Sequence, residues 1–224
     1  MTEEEWATSE TPGEMISFLR GSEGRQRLPD RVSRLLGVAF CRRVWDLITD
    51  SRSRRAVDVA ERYADGKASQ SELDAGYDEA FDVEEELAEL VEPRTGFFEA
   101  IGRAANAAAE AAHPNELAEG IAQEALEALE AAGIRGEHQA QAALVRCIMG
   151  NPFRPVALDP SWRTSTVVAL AEGIYADRAF DRLPILADAL QDAGCGNEEV
   201  LAHCRSAGPH ARGCWVVDLI LGKA

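Results

Sequence analysis

The sequence predicts an all-α protein, an irregular multi-helix bundle with an Ala/Glu-rich central helical segment. Three observations predict it. Apolar residues recur at three- and four-residue steps through both ends of the chain, the period of a helix face. The middle, Phe97–Ala143, is built from strong helix formers: 17 alanines fall between Ala100 and Ala143, and its only β-branched residues are Ile101, Ile121 and Ile134. The one run that a strand would also explain, Trp215–Leu221, has no second strand elsewhere to pair with, so it too is assigned to helix.

The elements follow in order. Thr11-Pro12-Gly13 opens a short helix, Glu14–Arg20, with Met15, Ile16, Phe18 and Leu19 apolar, and Gly21–Gly24 reads as a loop. Pro29 suits a first helical turn, and the stripe Val32, Leu35, Leu36, Ala39, Phe40, Val44, Leu47, Ile48 follows it. Ser51 or Ser53 caps the next helix, which carries Val57, Ala60 and Tyr63 and stops at Gly66. Ser69-Gln-Ser-Glu72 is a capping box opening a helix that Pro93 ends. Pro114, Gly133 and Gly136 divide the Ala-rich middle, whose last piece is Glu137–Met149. Gly150–Pro160 holds three prolines and reads as an extended connector. Thr164 or Ser165 caps Val167–Tyr175, Asp181 caps Leu183–Ala193, and Asn197 caps a helix through Cys204. Gly208-Pro209 is a turn, and Trp215, Val216, Leu219 and Ile220 are expected to bury against Leu183, Leu186, Leu190 and Leu201. The organisation expected is a single domain over 1–224. In it, N-terminal helices (1–92) pack on C-terminal helices (144–224), and the acidic segment 93–143 projects or covers one side.

Composition bounds the function. The chain has 224 residues and a net charge of −16, with 46% hydrophobic residues, enough for a packed core. No run of 18 apolar residues is present, and MTEEEW at the start lacks the basic and apolar regions of a secretory signal. Five cysteines, an odd number, point to reduced thiols and a cytoplasmic location. Charge is unevenly placed: residues 31–67 carry net +4 and residues 68–140 net −15. The basic block holds Arg31, Arg34, Arg42, Arg43, Arg52, Arg54, Arg55 and Arg62. Two readings fit these arginines, a nucleic-acid contact and pairing with the chain's own acidic middle. The second explains both blocks at once, and a net −16 opposes phosphate binding.

Candidate chemistry is sparse. Cys195, His203, Cys204, His210 and Cys214 fall within 20 residues, and thiols and imidazoles are zinc ligands. Their spacing is irregular, because structural zinc sites usually repeat a pair of ligands two to four residues apart. His203 and Cys204 are neighbours that point about 100° apart on a helix. The plainer reading makes Cys195 and Cys214 small core residues. A nucleophilic Cys204 or Cys214 with His210 as base has no supporting signature. Asp82, Glu84, Glu85, Glu86 and Glu89 radiate around a helix and do not share an ion, and Glu110 with His113 is a single Glu-x-x-His without a second copy.

Four blocks resemble a family of paralogous, uncharacterised proteins of planctomycete bacteria of the Gemmata group. They are MTEEEW, FCRRVWDLITDSRSRRAVDVAERYADG (Phe40–Gly66), GNPFRPVALDPSW (Gly150–Trp162) and FDRLPILADALQDAGC…LAHCR…GPHARGCWVVDLILGK (Phe180–Lys223). The family usually has two cysteines before Arg-Arg, where this chain has Phe40-Cys41. The resemblance implies lineage and architecture and names no activity.

The expectation is therefore a non-catalytic, cytoplasmic helical interaction or scaffold protein that meets a protein partner or itself. No membrane, nucleic acid or small-molecule substrate is expected. Neither is a cofactor, and no catalytic, cofactor-binding or metal-ligating residue is assigned. The first alternative is a zinc- or thiol-dependent protein centred on Cys195, Cys204, His210 and Cys214. The second is a nucleic-acid contact through the Arg31–Arg62 helices.

Overall fold

In the computed structural model, residues 1–21, 28–90, 96–113 and 118–223 are described. They form twelve α-helices and, among the described residues, no strand, so the protein is all-α. Contacts divide the chain into two compact units, Met1–Ala142 and Ala143–Ala224. The Ala-rich segment packs within the first unit. Its two helices fit there because rows of alanine let backbones approach closely.

The first unit begins with a helix that the sequence reading passed over, α1 (Glu3–Thr8). Thr2 and Glu5 close a capping box around its start, and Trp6 is buried. Then come α2 (Pro12–Leu19), α3 (Asp30–Arg43) and α4 (Ser51–Ala64). α3 ends before the stripe that predicted it does. Val44, Leu47 and Ile48 stay buried, but in a turn after the helix. The cap of α4 is Asp50, not Ser51 or Ser53: its carboxylate accepts from the Arg52 amide at 2.7 Å, while Ser53 is itself inside the helix and buried. Gly66 takes φ +67 beyond the helix end, as its place in the sequence suggests. Ser69 and Glu72 make both bonds of their capping box at the start of α5 (Gln70–Leu90). α6 (Phe97–Ala112) and α7 (Ala118–Ala131) are the Ala-rich pair. The expected breaks at Pro93 and Pro114, and residues 22–24 of the expected loop, lie outside the described residues.

α4 packs on α5 and α6, α5 on α6, α6 on α7, and α3 on α4, α6 and α7. Phe40, Leu35, Leu36, Ile48 and Leu73 supply the large buried side chains, and eight alanines of α6 are buried around them. The arginines of α3 and α4 find carboxylates of the same unit. Arg52 reaches Glu86 at 2.6 Å, Arg55 reaches Glu79 at 2.7 Å and Arg62 reaches Glu72 at 3.2 Å, all three acids lying on α5. Arg42 pairs with Asp58, and Arg43 forks onto Glu137 at 2.8 and 3.0 Å. Arg34 donates to the carbonyls of Ala111 and His113 at the end of α6. The +4 block and the −15 block thus meet, which is the self-pairing their adjacency suggests. Exposed pairs of this kind are each worth about 0–1 kcal/mol, so they orient helices more than they stabilise them.

α8 (Glu137–Met149) spans the division between the units. Past it, residues 150–159 are non-helical as expected, Pro160 opens a 3-10 turn (Pro160–Trp162), and Val156 and Leu158 pack against the core of the second unit. α9 (Ser165–Asp177), capped by Thr164, α10 (Leu183–Asp192), α11 (Glu198–Arg205) and α12 (Trp215–Leu221) complete it. Asp181 is not the cap of α10. It lies in a 3-10 turn, Phe180–Arg182, and no side chain caps the helix behind it. Asn197 does cap α11, accepting from the amides of Glu199 and Val200 at 3.0 and 3.1 Å. The core joins Val167, Ile174, Leu183, Leu186, Leu190 and Val200 to Val216, Val217 and Ile220. The buried face of α12 is therefore Val216, Val217 and Ile220, whereas Trp215 and Leu219 are half-buried. Among the described residues no helix is long and apolar enough to cross a membrane.

Candidate metal centre

Four ligand-type side chains converge in the second unit: Cys147, His203, His210 and Cys214. Each comes from a different local structure. Cys147 is in the last turn of α8. His203 is near the end of α11, whose register Asn197 sets. His210 follows the Gly208-Pro209 turn in the loop between α11 and α12. Cys214 is the residue before α12, delivered by Gly213, whose φ of +93 lets the chain turn inward where a side chain would be strained.

The four ligand atoms all lie within 4.8 Å of one another. His203 Nε2 is 3.2 Å from Cys214 Sγ, and His210 Nδ1 is 3.4 Å from Cys147 Sγ. Zinc bonds of about 2.3 Å to sulfur and about 2.0–2.1 Å to nitrogen, at tetrahedral angles, require sulfur–nitrogen edges of about 3.6 Å. These two sulfur–nitrogen distances stand a little short of that edge. The thiols form the inner side of the cluster, Cys147 being 1% and Cys214 0% exposed, and the half-buried imidazoles form the outer side. The imidazole rings meet edge to face at 5.0 Å, and Trp215 lies 5.4 Å from His203.

The electrostatics are those of a site with more polar atoms than protons. Burial disfavours a charge on Cys214, but hydrogen bonds from Cys147, His203 and His210 outweigh it and hold this thiol well below its ordinary range. Its hydrogen bond to Cys214, together with burial and the neighbouring charge, holds Cys147 well above that range. Burial opposes a proton on His210, yet the Cys214 sulfur raises its affinity for one. Two thiolates and two neutral imidazoles would exactly offset a dication, turning an awkward buried arrangement into a neutral one.

Of the residues that the sequence singles out, the structure brings together His203, His210 and Cys214. Cys195 and Cys204 stand apart in the apolar core, where burial raises the Cys204 thiol. The 100° separation of His203 and Cys204 is kept: one enters the cluster and the other does not. Cys147 is the member that sequence reasoning missed, 63 residues from His210. The signal available was His210-x-x-x-Cys214, one ligand pair at zinc spacing. Its second pair is assembled by the fold, not by the sequence. The acidic positions on α5 give no such convergence: Glu86 faces Arg52, and Asp82, Glu85 and Glu89 are exposed.

The fold and the site define a class, an all-α protein with a Cys2His2 cluster in its C-terminal unit. No family model, curated protein or solved structure matches the chain.

Proposed function

We propose that the protein is a non-catalytic helical interaction or scaffold protein of the cytoplasm whose C-terminal unit is clipped together by one zinc ion. The observation that carries the zinc reading is the convergence of Cys147, His203, His210 and Cys214 within 4.8 Å. Borderline-soft zinc suits two sulfurs and two nitrogens in a tetrahedron. Closure supports the non-catalytic part. Four protein ligands fill the tetrahedron and leave no position for water or substrate, the mark of structural zinc. The five cysteines are all free, which suits a reducing compartment.

Elemental analysis of untagged, full-length protein tests the reading. One zinc per chain is expected, lost in Cys147→Ser and Cys214→Ser and kept in Cys195→Ser and Cys204→Ser. Protein that carries no zinc, and takes up none when zinc is added under reducing conditions, would overturn it. Sedimentation of the zinc-loaded chain across concentration tests the interaction part by reading self-association directly.

A further inference from the structure

We infer that Ser206 is the positioning residue of this site, holding His210 as an Nδ1 ligand while His203 binds through Nε2. The inference rests on the zinc reading above. Ser206 follows α11 and turns away from it with φ −67 and ψ 143. Its side chain and its carbonyl are left beside the His210 imidazole, and its hydroxyl beside the His203 carbonyl.

Counting protons fixes the arrangement. The Ser206 hydroxyl has one hydrogen, donated to the His203 carbonyl at 2.9 Å. His210 Nε2 lies 3.2 Å from the same hydroxyl oxygen and 3.3 Å from the Ser206 carbonyl oxygen. A carbonyl only accepts, and the hydroxyl has already committed its proton. Nε2 must therefore be the donor, sharing one N–H between two oxygens. A zinc-bound imidazole is neutral and keeps a single N–H, so with Nε2 as the donor the lone pair that zinc would take is on Nδ1. That is the atom 3.4 Å from Cys147 Sγ, on the side of the other ligands. On His203 the atom facing Cys214 is Nε2. The two imidazoles thus bind through different nitrogens, and one serine links them: its hydroxyl holds the His203 backbone, and its two oxygens hold the His210 ring.

Partners that orient a ligating histidine typically change metal affinity about 10–100-fold when removed.

Two measurements on the full-length protein test this. Competition against a chromophoric chelator reads zinc and cobalt(II) affinity. Ser206→Ala is expected to weaken both about 10–100-fold, and Ser206→Thr, which keeps the hydroxyl, to restore them. The melting temperature of the metal-free Ser206→Ala protein is expected to match that of the metal-free parent, which a general loss of structure would not allow. Long-range nitrogen–proton correlation spectra of the zinc-loaded parent read the ligating atoms without any variant. His210 is expected to be protonated at Nε2 and zinc-bound at Nδ1, and His203 the reverse. Unchanged affinity in Ser206→Ala, or zinc on Nε2 of His210, would overturn the role of Ser206 and leave the zinc reading standing. A parent protein that binds no zinc would overturn both.

Discussion

Cys41 shows how one side chain's surroundings set its chemistry. It is fully buried between α3 and α6, and its thiol donates to the Ala107 carbonyl at 3.3 Å. Burial pushes its pKa up to about 12. The folded protein therefore holds this proton at pH values where the unfolded chain has lost it, so the thiol's contribution to stability falls as pH rises from the ordinary thiol range toward 12. Mass-spectrometric mapping after iodoacetamide treatment at pH 8 should leave Cys41 unmodified in native protein and alkylate it in urea; native alkylation would contradict the burial. Arg43 gives a second residue-scale test. Glu137 is 4% exposed and accepts both arms of the Arg43 fork. Arg43→Ala strands that carboxylate, and the urea midpoint should record a loss of about 2 kcal/mol, the scale of a charged hydrogen bond. Such pairs were legible only as a tendency. The charge blocks foretold that arginines of 31–67 meet acids of 68–140, but nothing in the sequence chose Glu137 for Arg43, because the choice depends on where α8 begins in space.

Elements were the most legible level, and their failures have local causes. Periodicity places the helices because one face of each must leave water. Ser69 and Asn197 cap as read, and of the two candidates Thr164 and Ser165 it is Thr164 that caps α9. A cap was misread where several residues compete: at Asp50-Ser51-Arg52-Ser53 the carboxylate took the role from both hydroxyls. α12 was foreseen as a helix but turned slightly from the face expected, so Val217 occupies the core and Trp215 the margin. There Trp215 covers Gly150: a Cβ on Gly150 would stand 3.3 Å from the indole ring, at a backbone φ of +67. Gly150→Ala meets both the crowding and the left-handed backbone, and calorimetry should show a cost of at least about 1 kcal/mol. A neutral or stabilising result would mean that α12 shifts freely past the end of α8. Leu186, wholly buried, should cost about 2–5 kcal/mol on replacement by alanine.

At the scale of the molecule, the fold class was legible and the site was not, for one physical reason. A helix is specified by neighbours three and four residues apart, whereas the ligand set joins positions 63 residues apart in the chain. Only the packing of α8, α11 and α12 brings them together. That dependence runs both ways. A zinc held by groups from α8, α11, the loop after it and the residue before α12 would bind the folded unit better than the unfolded chain and so stabilise it by mass action, by about 2.7 kcal/mol when free metal is 100 times its dissociation constant. The two compact units have separate cores, and all four ligands belong to the second. Chelation should therefore act unequally. Hydrogen exchange after treatment with a strong chelator should speed up in α11, the following loop and α12, and leave α3–α6 as slow as before. Acid should act in the same direction as chelation. Two thiolates and two neutral imidazoles must each be free of the proton that zinc displaces, so falling pH weakens binding by returning those protons. Exchange that rose equally in both units on chelation would show that the metal supports the whole chain, and exchange unchanged everywhere would show that it supports neither.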